Sequence, residues 1–192
     1  MSERGQDKRY LLSTLVAVAG VNPITFNSWR QRNGLFPWSL KAKGWKQYSA
    51  SDICVAYCVN GLIKSGCTAQ FAVDAAMMLL PRFEEMWTSD SVEAFDNCIA
   101  LISIIDHGSS DKSNIEIDIE FHDPSKPILE IIRGRLGWGT AQIVDLYDVM
   151  LNVIRSLKAL QPETVMTPEE TRSFVFSSLA KAIAETRTDE ED

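Results

Sequence analysis

The 192-residue chain is predicted to be mainly α-helical with a small antiparallel β component: an N-terminal domain of short helices, then an α+β second half. Three observations predict this. Apolar residues recur at steps of three and four through much of residues 11–80 and 143–160, the spacing of a buried helix face. Residues 114–121 instead alternate strictly, as a half-buried strand does. Charge also divides the chain. Residues 1–88 hold 10 Lys+Arg against 6 Asp+Glu, whereas residues 89–192 hold 9 against 20.

At 45% hydrophobic and 23% charged, the composition is that of a globular protein able to bury a core. No apolar run approaches the roughly 20 residues needed to span a bilayer, so no membrane partner is expected. Residues 1–8 are polar, with no apolar segment of the secretory kind after them, which sets the expectation of a cytoplasmic protein. The four cysteines, at 54, 58, 67 and 98, form no CxxC pair, and a disulfide framework is not expected. Cys54 and Cys58 share a helix face and are read as core.

Leu11, Leu12, Leu15, Val16, Val18 and Ala19 mark a first helix, which Gly20 ends. Asn22-Pro23, an N-cap followed by proline at N1, opens a second helix at once. Its inward side is read as Ile24, Phe26, Trp29 and the stem of Arg30, and its outward side as Thr25, Asn27, Ser28, Gln31 and Arg32; Asn33-Gly34 ends it. Two short helices joined by a tight turn, the second polar and basic, make a helix-turn-helix, whose second helix suits the roughly 12 Å major groove of duplex DNA. Residues 4–48 carry eight basic residues and one acid, a local cationic site on an acidic protein.

The segment from Leu35 to Tyr48 is turn-rich, basic and aromatic, and is read as a β-hairpin wing with Lys41 and Lys43 beside Gly44 at its tip. Trp29, Phe36, Trp38, Trp45 and Tyr48 are read as the core beneath it, with Trp38 the most exposed. Ser49 and Asp52 form a capping box for a helix running through Leu62 to Gly66. Thr68 caps the next helix, Ala69 to about Leu80, expected to stop near Pro81.

These residues resemble a family. The runs Ala19-Gly20-Val21 with Thr25-Phe26 and Trp29, Gly34-Leu35-Phe36-Pro37, and Gly44-Trp45-Lys46-Gln47-Tyr48 with Asp52-Ile53 are similar to the winged helix-turn-helix of MerR-like regulators, over about residues 10–80. The resemblance implies double-stranded DNA as ligand. Three departures stand beside it: a second helix one residue longer before Gly34, Lys46 where Arg is usual, and no evident long antiparallel coiled coil afterwards. Excisionase-like or phage-type DNA architectural and packaging factors, which recruit other proteins through a second half, form the alternative.

Beyond about residue 88, Val92–Ile105 reads as helix running into strand, Gly108–Ser113 as a turn, and Asn114–Phe121 as a strand. From Thr140, Ile143, Leu146, Met150, Val153, Leu157 and Leu160 make an a/d seam of nearly three heptads, enough for a partner helix in an intermolecular coil. Neighbours such as Val149 and Ile154 widen it, which favours packing on the hairpin within the subunit, and a broad face can do both. Pro162 ends it. Thr167-Pro168-Glu169-Glu170 opens a last helix before the acidic tail Asp189–Asp192.

The expected division is a DNA-binding domain at 1–88, an α+β oligomerisation or signal-receiving domain at 89–165, and a terminal helix and tail at 166–192. No nucleotide-loop, nucleophile-elbow or zinc-protease motif is present, so neither an enzyme nor a cofactor is expected. Gly134–Gly139 is read as a turn, and Asp106-His107 and His122-Asp123 as surface-loop residues rather than a metal site. The function expected is sequence-specific transcriptional regulation. Thr25, Asn27, Ser28 and Gln31 are assigned to base edges, Arg30, Arg32, Lys41, Lys43 and Lys46 to phosphates, and Trp45 and Tyr48 to positioning the wing. A homodimer on paired half-sites is expected, with the acidic half offered to a protein partner.

Overall fold

The computed structural model describes residues 10–41, 46–89, 97–106, 115–122 and 141–160. Lys43, Gly44 and Trp45, the turn at 108–113, His107, Asp123, the Gly134–Gly139 run and the elements expected after Pro162 lie outside the described residues. The elements are β1 (Tyr10–Leu11), α1 (Leu12–Ala19), α2 (Pro23–Arg32), α3 (Pro37–Lys41), β2 (Gln47–Tyr48), α4 (Ala50–Lys64), α5 (Ala69–Met78), α6 (Leu80–Thr88), β3 (Ile99–Asp106), β4 (Ile115–His122), β5 (Ala141–Asp145) and α7 (Leu146–Leu160). The described chain is mainly helical with two small antiparallel sheets.

The punctuation residues act as their chemistry dictates. Gly20 sits at φ 66°, in the left-handed region, and lets the Val21 amide return to the Val16 carbonyl at 3.0 Å to close α1. The Asn22 side chain accepts from the Thr25 amide at 2.8 Å, and Pro23 supplies the first helical residue of α2. Ser49 and Asp52 complete both halves of a capping box on α4, and Thr68 caps α5.

The helix from Ala69 stops at Met78, near Pro81 as expected; a break at Leu79 separates α5 from α6, and Pro81 lies in the first turn of α6, where its missing N–H costs nothing. Three expectations are corrected. The first limb of the expected wing is the short helix α3. Its Ser39 amide and hydroxyl both donate to the Phe36 carbonyl, at 2.9 and 2.7 Å, winding the chain where a strand would extend it. Residues 47–48 pair instead with β1, Tyr10 opposite Tyr48. Ile143 belongs to β5, because Asp145 accepts from the Asp148 amide at 3.0 Å and so starts α7 later than the apolar spacing suggests. Ile24, expected to face inward, is 83% exposed.

The second sheet has strand order β4-β3-β5, all antiparallel, with Ile102 opposite both Ile119 and Gln142. Ala100, Leu101, Ile102 and Ser103 on the central strand are all buried, as on a strand covered on both faces. A strand forms at 115–122 as expected, but its alternation is not repeated in burial: Ile117, Asp118, Ile119 and Glu120 are all half-buried and Phe121 is exposed.

Helix α7 buries Leu146, Val149, Met150, Val153, Ile154 and Leu157 against α1, α4 and the sheet, within the same chain. One hydrophobic cluster runs from Tyr10 and Leu15 through Ile53 and Phe83 to Met150 and Leu157, so the core does not break at residue 88. Cys54 and Cys58 lie inside it as free thiols.

Candidate nucleic-acid interface

Helix α2 is mounted at three points, and each mount leaves its outward side open. At its start the Asn60 side chain, on α4, donates to the Ala19 and Gly20 carbonyls at 2.8 and 3.1 Å, fixing the turn between α1 and α2. At its end Asn33 donates to Gln70 on α5 at 3.1 Å, and Gln70 in turn donates to Asp74 at 2.9 Å. Between these, Phe26 and Trp29 enter the core, Phe26 edge-on to Tyr48 at a centroid distance of 6.0 Å.

The middle mount is Arg30. It is 5% exposed, and its guanidinium spreads over three acceptors: Nε to Ser39 Oγ at 2.9 Å, Nη2 to the Ser39 carbonyl at 3.1 Å and Nη1 to Asn27 Oδ1 at 3.3 Å. Its Cζ also lies 6.0 Å from the centroid of the Phe26 ring. A side chain committed in this way is not available to a phosphate, which corrects its assignment. Its role is to tie α3 to α2 through the fixed fork of the guanidinium.

Tyr48 is likewise fully buried, so any positioning it performs is from within the core rather than on a surface. Burial raises its pKa first of all; the Arg30 charge and the Ser39 hydroxyl offset part of that rise, and Asp52 adds to it. Trp38 is half-buried, its ring 5.3 Å from that of Phe36, and therefore belongs to the rim of the aromatic core.

The remaining site residues divide by accessibility. Gln31 and Arg32 are exposed, while Thr25, Asn27 and Ser28 are half-buried on the same outward arc. Lys46 is half-buried just before β2, and Lys41 closes α3, its side chain outside the described residues. The tie residues Ser39, Asn60 and Gln70 had no local signature, since their partners lie 9 to 41 residues away in sequence.

Other chemistries find less. Burial pushes the Cys54 thiol up to about 12 and Cys58 well above its ordinary value, so neither is a thiolate nucleophile at neutral pH. Asp106 pairs with Ile115 and His122 with Ile99, so these two stand at opposite ends of the β3–β4 ladder and cannot share one ion. No three His, Cys, Asp or Glu side chains among the described residues are grouped to hold a metal. An open cleft of about 410 Å³ between Met78, Pro81, Arg82, Glu85, Asn97 and Phe121 contains the ion pair of Arg82 with Glu85 at 2.6 Å and, among the described residues, no nucleophile. No helix among the described residues is long and apolar enough to cross a membrane. No protein-family model matches the chain, and no curated protein matches it.

Proposed function

We propose that the chain is a sequence-specific double-stranded DNA-binding protein, a transcriptional regulator that lays α2 in the major groove. The observation that carries this reading is the polar outward arc of α2. Gln31 and Arg32 are exposed beside Thr25, Asn27 and Ser28, on a helix held rigidly from behind by Asn60, Arg30 and Gln70. A rigid helix with an open polar face is what base-edge readout requires, because a misplaced side chain loses its hydrogen bonds. Arg32, Lys41, Lys43 and Lys46 supply phosphate contacts that set register. The MerR-like sequence pattern supports the same assignment, and a homodimer would double the contacts one short helix can make.

The reading divides the residues into two classes that behave differently. Duplexes selected by the full-length chain from a randomised library provide the probe. Gln31→Ala should cost about 1–3 kcal/mol on the selected duplex and nothing on a scrambled one. Lys43→Ala should weaken binding to both and lower the salt slope by about 0.9. Equal losses on both duplexes for Gln31→Ala would remove α2 from the recognition role. A large bend in circular-permutation gel shifts, with bound sites away from promoters, would favour the architectural role instead.

A further inference from the structure

Ile24 is the most exposed of the large apolar residues among those described, at 83%, against 51% for Leu160, the next. It lies in the first turn of α2, one residue after Pro23. At 100° per residue Ile24, Ser28 and Gln31, spaced i, i+4 and i+7, form a single stripe along the helix. On this wheel the buried residues Phe26, Trp29 and Arg30 lie on the opposite side. Ile24 is therefore not a core residue that failed to find its place. It stands at the centre of the outward face, an isolated branched alkyl group in a row of hydrogen-bonding side chains.

The neighbouring Asn22 carboxamide is anchored to the helix end, its Oδ1 accepting from the Thr25 amide at 2.8 Å, and Ile24 is the exposed alkyl group of the first turn. In the major groove one base feature is complementary to such a surface, the C5-methyl group of thymine. First-turn residues of a groove-seated helix are those that meet base edges.

We infer that Ile24 is a specificity-determining residue that recognises a thymine by contact with its C5-methyl group, while Ser28 and Gln31 along the same stripe read the neighbouring pairs. This rests on the reading of α2 as the groove helix and adds to it the chemistry of one base position. The apolar contact excludes cytosine, which presents an amino group and no methyl, so the preference is for thymine itself rather than for any pyrimidine.

The test uses a duplex selected by the full-length protein. Each thymine is replaced in turn by uracil, which pairs identically and lacks only the methyl group. For the wild-type chain one such replacement should weaken binding about fourfold, the effect of one methyl removed from a buried contact. For Ile24→Ala the same replacement should be neutral, and that variant should bind the unmodified duplex several-fold more weakly while keeping its affinity for scrambled DNA. Because Ile24 is outside the core, its truncation leaves the fold intact, which an unchanged urea midpoint would verify. If every uracil replacement is neutral for the wild type, or the penalty persists in Ile24→Ala, the inference is wrong although the groove reading stands. If no duplex is bound with preference, both are wrong.

Discussion

Replacing Arg30 by alanine separates a buried tie from a phosphate contact. The residue is 5% exposed and gives Ser39 two charged hydrogen bonds, at 2.9 and 3.1 Å. Hydrogen bonds to a charged group contribute about 1.5–3 kcal/mol each, and the guanidinium adds a cation–π contact with the Phe26 ring. Part of this is offset because the variant no longer buries a charge. The net expectation is a loss of about 2–3 kcal/mol in urea unfolding followed by tryptophan fluorescence. A surface phosphate contact would change stability by no more than about 0.5 kcal/mol. Arg30→Lys should recover little, since one ammonium cannot present the two donors in a fixed fork. Release of α3 should also expose Trp38, which packs on Phe36 at 5.3 Å, to acrylamide quenching. An unmoved urea midpoint together with a salt slope lowered by about 0.9 would refute the buried tie and return Arg30 to the DNA surface.

Three further outcomes follow from the same packing. Asn22→Ala removes the cap on the Thr25 amide and should cost about 1 kcal/mol, with Asn22→Asp restoring most of it in the same unfolding assay. Met150→Ala, at a fully buried position on α7, should cost about 2–5 kcal/mol; a loss near zero would show that α7 does not belong to the core of α1 and α4. The Cys54 and Cys58 thiols have raised pKa values in the folded state, about 12 for Cys54, so the folded chain keeps protons that the unfolded chain releases. Their contribution is therefore complete at neutral pH and lost as pH rises from about 8.5, the ordinary thiol value, toward 12. The urea midpoint of the wild type should accordingly fall more between pH 8 and pH 10 than that of a Cys54→Ala, Cys58→Ala variant.

What the sequence disclosed was local chemistry. Asn22-Pro23, the Ser49 and Asp52 capping box and Thr68 each satisfy helix-end backbone groups within a few residues, and each appears where those residues indicate. What it concealed was set by distant partners or by competing readings of one pattern. The stem of Arg30 reads as inward, but its guanidinium reads as a surface cation because its acceptor, Ser39, lies nine residues on and beyond a turn. Ile24 reads as inward by hydrophobicity alone; its spacing to Ser28 and Gln31 was the available signal and carries the opposite meaning. The late start of α7 also had a signal, Asp145 three residues before Asp148, but the three-residue step from Ile143 to Leu146 continued the helical stripe across it. The central strand β3 hides its type because a strand buried on both faces loses its alternation.

The central claim is that α2 turns an open polar face to duplex DNA on a molecule whose net charge of −7 would otherwise repel it. The most direct test is fluorescence anisotropy of the full-length chain with a selected and a scrambled duplex across a range of salt concentrations. The account predicts binding to both that weakens linearly in log salt, with the selected duplex held at least about a thousandfold more tightly at physiological salt. Affinity that is absent, insensitive to salt or equal for the two duplexes would contradict it.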